Sequence, residues 1–295
     1  MTHIVVVGAG GVGAETLQLL QKTPGNAKIR VIDRDFVDAD TLKRQTLYRK
    51  ADVSRLKAFA AARKLGHRFT GVSEHLHQDN AENLLQGADI VLDCTDNWAT
   101  RCVINQWALK HRKPWIFTSA IRSQTMTSTL TPKTACFLCW NPHPAVPRSC
   151  RIEGIRKETT AMAAKTQASE LVSLLAAKPN LAGKLQFTDI RSKTCTTVPL
   201  SKNKKCPACV KKTFTLAEEK AVTLCGDDEY LFQLDSPIDS KALASLKPQT
   251  FGDVLKIKWK TGELVIFKSG RILARKMARK QAEAAVDTIR QKQAS

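Results

Sequence analysis

The chain has 295 residues, enough for about two domains, and apolar residues make up 43% of it, so we expect a substantial buried core. No apolar run approaches the roughly 18 residues of a membrane span, which argues against a membrane protein. The chain opens into the apolar run Ile4–Val7 without a basic leader, so we expect no signal peptide and a cytoplasmic location. Nine cysteines in such a chain favour metal or redox chemistry over a disulfide framework.

The net charge of +20 is concentrated in part of the chain. Residues 148–212 contain 14 basic and 4 acidic side chains. A surface of this charge attracts an acidic protein or a nucleic acid. Basic side chains that simply solvate the outer faces of helices would give the same count, and both interpretations stay open.

The first part of the chain alternates predicted strands and helices. The expected strands are residues 3–8, 29–32, 71–76, 88–92 and 114–119. The expected helices run from the glycine-rich segment to about residue 21, and then over 52–66, 81–85 and 100–110. This alternation with short connections predicts an α/β fold with a parallel, Rossmann-like doubly wound sheet.

The second part of the chain has a different pattern. Residues 126–147 look irregular, 160–177 helical, and 178–205 like a loop or an antiparallel excursion from the sheet. Beyond residue 215 we expect strands over 231–234, 254–259 and 264–267, a turn at Lys268–Gly270, and a basic helix over 276–290. We therefore expect a first domain of residues 1–214 and a small C-terminal α+β module of residues 215–295.

A glycine-rich loop lies between the first strand and the first helix, with Gly8, Gly10, Gly11 and Gly13 as its glycines. Glycines allow a tight turn and a close approach of phosphate oxygens, and the helix N-terminus adds N–H donors. Asp33 ends the second strand, where a carboxylate typically hydrogen-bonds a ribose. The loop predicts nucleotide binding, and it does not separate NAD from ATP.

Two Cys-x-x-Cys pairs predict a metal site. Cys136 and Cys139 form the first pair, Cys206 and Cys209 form the second, and 66 residues lie between the pairs. Four thiolates in this arrangement suit a structural, tetrahedral Zn2+ that is closed to water. Reduced structural cysteines or a redox pair are the alternatives.

Several further segments carry a family resemblance. Residues 31–48 read VIDRDFVDADTLKRQTLY, and residues 93–101 read DCTDNWATR. Together with the paired Cys-x-x-Cys motifs, VTLCG at 222–226 and FKSGR at 267–271, they resemble the ThiF/MoeB/HesA family of ubiquitin-activating-type adenylating enzymes. The resemblance implies ATP-dependent adenylation of the C-terminal glycine of a ubiquitin-like or sulfur-carrier protein by a homodimeric enzyme.

The resemblance also implies roles for individual residues. Arg44 and Lys57 would supply positive charge to the phosphates of ATP, and Asp96 would bind Mg2+. Asp35 would be a further polar contact of the nucleotide pocket. Asn97, beside Asp96, is placed in the same site, where it would order the loop. The site needs positive charge because adenylation brings a carboxylate towards a polyphosphate, and both groups are anions.

Cys150 is the candidate nucleophile. In the resembled family a cysteine on this crossover loop links to the activated carrier in some members. Arg148, Arg151 and Arg156 surround Cys150 in sequence, and nearby cations lower a thiol pKa. A passive loop cysteine is the alternative, and Cys195 is a weaker second candidate.

Two features depart from the family pattern. Thr41 stands where the family often has an asparagine that touches the phosphates. The chain begins at the first strand, without the arginine that many members carry on a preceding short helix. These departures keep open a non-catalytic adaptor that pairs with an active subunit or binds nucleic acid, and the glycine loop alone would also permit an NAD-dependent oxidoreductase.

Overall fold

The structure, a computed structural model, describes residues 1–22, 25–143, 156–215, 222–223, 229–234, 236–260 and 262–294. The chain divides into two compact units. The first comprises Met1–Asp52 and Leu56–Leu216, and the second comprises Val53–Arg55 and Ala217–Ser295. Whether a domain boundary at residue 214 separates independently folding parts stays a prediction. Across the described parts of the chain, no helix has the length and apolar character needed to cross a bilayer.

The first unit is built on an eight-stranded sheet of order β3-β2-β1-β4-β5-β6-β7-β8. Its strands are β1 (His3–Val7), β2 (Lys28–Ile32), β3 (Phe69–Val72), β4 (Ile90–Asp93), β5 (Trp115–Ile121), β6 (Gln124–Leu130), β7 (Lys184–Asp189) and β8 (Thr194–Pro199). The first five strands are parallel, and β6 to β8 continue the sheet in antiparallel fashion. The carboxyl ends of the parallel strands therefore meet at one edge of the sheet, where ligands bind in such folds.

Helices cover both faces of this sheet. They are α1 (Gly11–Lys22), α2 (Ala39–Arg44), α3 (Lys57–Leu65), α4 (Ala81–Leu84), α5 (Trp98–His111), α6 (Phe137–Trp140) and α7 (Lys157–Leu175). Short 3-10 turns lie at Lys50–Asp52 and Gln78–Asn80.

Strand β1 shows how the two faces are packed. Its alternating side chains point to opposite sides, as the pleat of a strand requires. Val5 and Val7 pack in the cluster that includes residues of α4 and α5. Ile4 and Val6 pack in the cluster that includes residues of α1, α3 and α7. Both faces of β1 are therefore apolar, which explains its uninterrupted Ile-Val-Val-Val sequence.

The parallel sheet was expected for the strands up to residue 119, and β6 to β8 extend that sheet in antiparallel fashion. Most of β6 lies in the segment expected to be irregular from residue 126, and β6 pairs with β5 along its whole length. Its Thr-rich sequence hides this strand, because Thr125, Thr127, Ser128 and Thr129 are buried polar residues. The antiparallel alternative for residues 178–205 is confirmed by β7 and β8.

The end of β3 and the start of α3 also differ from expectation. Strand β3 ends at Val72 rather than at residue 76, because its partner β2 ends at Ile32, the residue with which Val72 pairs. Helix α3 begins at Lys57 rather than at residue 52, because a 3-10 turn at Lys50–Asp52 and the left-handed Ser54, with φ +72°, precede it.

The second unit contains an antiparallel sheet of order β11-β12-β13-β14-β10-β9 and a C-terminal helix. Its elements are β9 (Val222–Thr223), β10 (Glu229–Gln233), β11 (Gln249–Phe251), β12 (Val254–Trp259), β13 (Gly262–Phe267), β14 (Arg271–Arg275) and α8 (Arg279–Ala294). Ala282, Ala285, Val286 and Ile289 of α8 share a buried cluster with residues of β10, β12, β13 and β14. The turn between β13 and β14 occurs where Lys268–Gly270 predicted it, with Gly270 at φ +89°.

Candidate active site

The glycine loop connects β1 to α1, and two of its glycines have no room for a side chain. Gly8 has φ +97°, and a Cβ there would lie 2.6 Å from the carbonyl oxygen of Cys94. A Cβ on Gly13 would lie 2.0 Å from the carbonyl oxygen of Gly8. A Cβ on Gly10, in contrast, would meet nothing within 4 Å. Gly10 therefore faces open space in front of α1, which begins at Gly11. The N–H groups in the first turn of this helix have no hydrogen-bond partners within the helix. A phosphate fits this surrounding.

Asp33 anchors the loop. Its Oδ2 accepts a hydrogen bond of 2.6 Å from the Ala9 N–H, and its Oδ1 accepts one of 2.7 Å from the Asp35 N–H. The Tyr48 hydroxyl donates to the Ala9 carbonyl oxygen at 2.9 Å. Burial raises the pKa of Asp33, and the nearby Lys57 ammonium opposes that rise. The carboxylate thus fixes the loop, and its expected ribose contact stays a prediction.

Lys57 and Asp35 form an ion pair at the same edge of the sheet. The Lys57 Nζ lies 3.3 Å from Asp35 Oδ2, and the Lys57 side chain is only 9% exposed. A backbone hydrogen bond links the same two residues, since the Lys57 N–H donates to the Asp35 carbonyl oxygen at 2.9 Å. The first residue of α3 is therefore held beside the end of β2, so that a buried cation lies in the candidate nucleotide site.

Asp96 lies beyond the end of β4 and faces Arg34. The distance from Arg34 Nη2 to Asp96 Oδ1 is 3.7 Å, and the Asp96 side chain is 44% exposed. Arg34 Nη1 lies 3.4 Å from His75 Nδ1, in the segment that follows β3. An accessible carboxylate suits Mg2+, which prefers oxygen ligands and keeps several waters. Asp96 therefore fits the metal role that the sequence predicts for it.

Arg44, also predicted as a site residue, lies apart from the other charged residues of the site. It closes the short helix α2, is half-buried, and donates from Nε to the carbonyl oxygen of Asp40 at 3.4 Å. Within the described residues it stands outside the ion-pair cluster of Asp35, Lys57 and Asp96. Its contact with phosphate stays a prediction.

Thr41, which departs from the family pattern, helps to cap helix α2. It is buried, and its N–H and hydroxyl both donate to Asp38 Oδ1 at 2.7 Å. The Asp38 N–H donates in return to the Thr41 hydroxyl at 3.3 Å, which completes a capping box at the start of α2. The Thr41 side chain is therefore engaged within α2.

Asn97 and Arg101 order the segment between β4 and α5. Asn97 caps α5 by accepting a hydrogen bond of 2.8 Å from the Thr100 N–H. Arg101 Nε lies 3.0 Å from Asp93 Oδ2, and its Nη2 donates to the Thr95 carbonyl oxygen. Asp93 is fully buried, and burial raises its pKa, while Arg101 opposes the rise. These contacts hold the segment that carries Asp96.

The four cysteines of the paired motifs come together in the first unit. The sulfur atoms of Cys136, Cys139, Cys206 and Cys209 all lie within 4.8 Å of one another. Three of the separations are 3.8, 3.6 and 3.5 Å. Sulfur atoms bound at about 2.3 Å to one tetrahedral Zn2+ are about 3.8 Å apart. The donor set and its spacing therefore fit a closed four-thiolate metal site.

Three further cysteines lie within the described residues, and they differ in exposure. Cys102 is buried, and Cys94 lies under the glycine loop, where burial raises its pKa to about 12. Cys195 is exposed on β8 and accepts a hydrogen bond of 3.5 Å from the Thr188 hydroxyl. Cys150, the predicted nucleophile, lies outside the described residues.

Sequence reasoning missed three residues of this edge of the sheet. Arg34, His75 and Tyr48 make the contacts described above. Arg34 had a signal, since it stands between two aspartates at the end of a strand. Tyr48 follows an irregular segment, where no periodicity indicates the direction of a side chain. His75 was expected inside a strand over residues 71–76, whereas β3 ends at Val72.

Comparison with known proteins adds a family to this geometry. The model of the ThiF family matches residues 1–208. The chain belongs to the ThiF family. The predicted family and the predicted enzyme class, an adenylyltransferase, are thereby confirmed, and the relatives below carry names of that class.

Two curated relatives illustrate the match. The SAMP-activating enzyme E1 of Haloferax volcanii is 30% identical over 217 residues, which cover 70% of this chain and 80% of that protein. The sulfur carrier protein ThiS adenylyltransferase of Bacillus subtilis is 27% identical over 297 aligned positions, which cover 91% of this chain and 86% of the relative. The second match includes most of the second unit of this ThiF-family chain.

A solved structure supports the fold. The crystal structure of Escherichia coli MccB with MccA-N7isoASN superimposes with a TM-score of 0.62 at 18% identity. The match covers 71% of this chain and 67% of the MccB chain, about two thirds of its length. At this identity the likeness shows that the mixed α/β fold with its parallel-rich central sheet is shared.

Proposed function

We propose that this ThiF-family chain adenylates the C-terminal glycine carboxylate of a small ubiquitin-like or sulfur-carrier protein with ATP. One observation carries the proposal. The glycine loop, Asp33, the Asp35–Lys57 pair and Asp96 converge at the carboxyl ends of β1, β2 and β4. The names of the relatives, which activate SAMP or adenylate ThiS, supply the substrate class.

In the proposed reaction a carboxylate oxygen of the carrier attacks the α-phosphorus of ATP. A bond forms between that oxygen and phosphorus, the bond to the β-phosphate oxygen breaks, and pyrophosphate leaves. Two anions must approach each other, so the site needs positive charge. The N–H groups around Gly10 and the first turn of α1 would bind phosphate oxygens, with Lys57 and Arg44 as further cations.

Asp96 is the residue that we expect to hold Mg2+. Bound there, Mg2+ would neutralise charge on the polyphosphate. Asn97 and Arg101 support this role, because they fix the segment between β4 and α5. Asp33 would present its carboxylate to the ribose while it holds the Ala9 N–H.

The four-cysteine cluster is proposed to bind a structural Zn2+. Four sulfur ligands leave no position for water, so the metal would stabilise the fold rather than take part in catalysis. It would join α6 to the turn at Cys206–Cys209, and so join both ends of the segment that contains Cys150.

Cys150 is proposed as the acceptor of the activated carrier. Its thiolate would attack the acyl carbon of the carrier adenylate, with a thioester formed and AMP released. The four basic side chains at 148, 151, 156 and 157 are the sequence feature that supports a thiolate there. A homodimer and a cytoplasmic location also remain predictions.

A non-catalytic adaptor is the second candidate. The inward Thr41 side chain favours it, because no side chain at that position then reaches a phosphate. An NAD-dependent oxidoreductase has no comparable observation in its favour.

ATP–pyrophosphate exchange in the presence of small carriers that end in Gly-Gly tests the proposal. We expect carrier-dependent exchange, reduced about 100-fold by Asp96→Ala and retained by Cys150→Ala. Asp287→Ala, which removes an exposed carboxylate on α8, is the matched control and should retain the exchange. ATP binding without exchange with any carrier would support the adaptor instead.

A further inference from the structure

Arg34 occupies a particular place in the sheet. It follows β2, and Asp96 follows β4, while β1 lies between these two strands in the order β3-β2-β1-β4. The 3.7 Å contact between Arg34 Nη2 and Asp96 Oδ1 therefore spans the carboxyl end of β1, where the glycine loop begins. An ion pair thus crosses the crevice that a nucleotide's phosphates would enter.

The surroundings of Arg34 are acidic on two sides. Its Nε lies 4.0 Å from Asp35 Oδ1, and its side chain is 14% exposed. Asp35 and Asp96 have side chains that are 32% and 44% exposed. His75 Nδ1, at 3.4 Å from Nη1, further fixes the direction of the guanidinium. The guanidinium therefore supplies counter-charge to two accessible carboxylates of the same site.

We propose that Arg34 positions the Asp96 carboxylate and supplies its counter-charge until a nucleotide-bound divalent cation replaces it. The inference rests on the nucleotide-binding part of the proposed function and not on carrier adenylation. Arg34 is a positioning residue here, because it acts on the metal through Asp96.

The charges make the consequence specific. A polyphosphate that approaches without a metal meets Asp35 and Asp96, and Arg34 offsets their repulsion. Mg2+ bound with the nucleotide would replace Arg34 as the counter-charge of Asp96, so the contribution of Arg34 to nucleotide binding would become small. Loss of the guanidinium should therefore weaken metal-free binding more than metal-dependent binding, which a uniform loss of structure would not do.

The test is calorimetric titration of the full chain with α,β-methylene-ATP, in EDTA and at saturating Mg2+. The quantity compared is the ratio of the Kd in EDTA to the Kd with Mg2+. We expect Arg34→Gln to raise this ratio about fivefold, the size of one partly exposed charge contact. Arg34→Lys keeps the charge and should stay within about twofold of the wild-type ratio. Arg290→Gln removes the arginine of an Arg–Asp pair on α8 and should leave the ratio unchanged.

Asp96→Asn provides an independent arm should Arg34→Gln fail to fold. Without the carboxylate, metal-free binding should equal or exceed that of the wild type, and the effect of Mg2+ should fall. An unchanged ratio in Arg34→Gln, equal weakening under both conditions, or metal-free binding weakened by Asp96→Asn would overturn the inference. Binding that follows the inference without any pyrophosphate exchange would contradict the proposed function alone.

Discussion

Gly13 and Gly10 stand three residues apart in one loop and have different surroundings. A Cβ on Gly13 would lie 2.0 Å from the Gly8 carbonyl oxygen and 3.2 Å from the Cys94 Cβ. A Cβ on Gly10 would meet no heavy atom within 4 Å. Gly13 is therefore required by the fold itself, and Gly10 by whatever occupies the space in front of it.

This contrast predicts two kinds of defect. Gly13→Ala should lower the free energy of unfolding by about 1–3 kcal/mol, because backbone atoms must move to accommodate the methyl group. Gly10→Ala should unfold like the wild type and weaken nucleotide binding. Urea unfolding and nucleotide titration of both variants check this. Equal stability of the two variants would contradict the described loop geometry.

At the scale of elements, β4 carries an aspartate at each end. Asp93 closes β4, is fully buried and pairs with Arg101 of α5. Asp89 precedes β4 and pairs with Lys113 at 3.0 Å, both side chains being partly exposed. Burial raises the pKa of Asp93, whereas the His3 N–H and Lys113 lower the pKa of Asp89. The two pairs therefore differ mainly in their access to water.

Arg101→Gln should destabilise the chain by about 3 kcal/mol at pH 8, because it leaves a buried carboxylate without its cation. A raised folded pKa of an acid favours the protonated folded form, so stability is gained as the pH falls through that pKa. The deficit of Arg101→Gln should therefore shrink at pH 5. Urea unfolding at both pH values measures it.

Lys113→Gln is the control for the same strand. Its deficit should stay below about 1 kcal/mol, as expected for an exposed pair. The lowered pKa of Asp89 contributes stability that is present above the unfolded pKa and is lost only at strongly acidic pH. A deficit of Arg101→Gln that is constant between pH 5 and pH 8 would argue against a charged Asp93.

The sequence predicted those elements whose patterns are local. Strand β1, the glycine loop and α1 follow from an apolar run and a glycine motif within twenty-two residues. Strand β6 was missed because its buried side chains are mostly threonine and serine, so its sequence shows no hydrophobic alternation. The contact of Arg34 with Asp96 joins residues 62 positions apart, and it depends on a strand order that no local pattern reveals.

At the scale of the whole chain, the four-cysteine cluster joins distant segments. Cys136 and Cys206 are 70 positions apart, and their sulfur atoms are separated by 3.6 Å. The two motifs could be recognised from the sequence because thiol pairs at this spacing have few other uses in such a protein. Their approach to one another required the fold.

We expect about one Zn2+ per chain, which elemental analysis of the purified protein would measure. Cys136→Ser should lose the metal and lower the melting temperature, because one ligand of the closed site is removed. Cys195→Ser, at an exposed cysteine outside the cluster, should retain both. A folded wild-type protein without metal, equal in stability to a zinc-loaded sample, would contradict the metal site.

The central claim is adenylation of a carrier carboxylate, and label transfer from ATP tests it most directly. The Cys150→Ala chain, which should keep the carrier at the adenylate stage, is incubated with Mg2+, a Gly-Gly-terminated carrier and ATP labelled at either the α- or the γ-phosphate. Our account predicts that the carrier acquires label from α-labelled ATP alone, and that removal of its terminal glycine abolishes the transfer. Label acquired from γ-labelled ATP, or none acquired from α-labelled ATP by any carrier despite nucleotide binding, would contradict it.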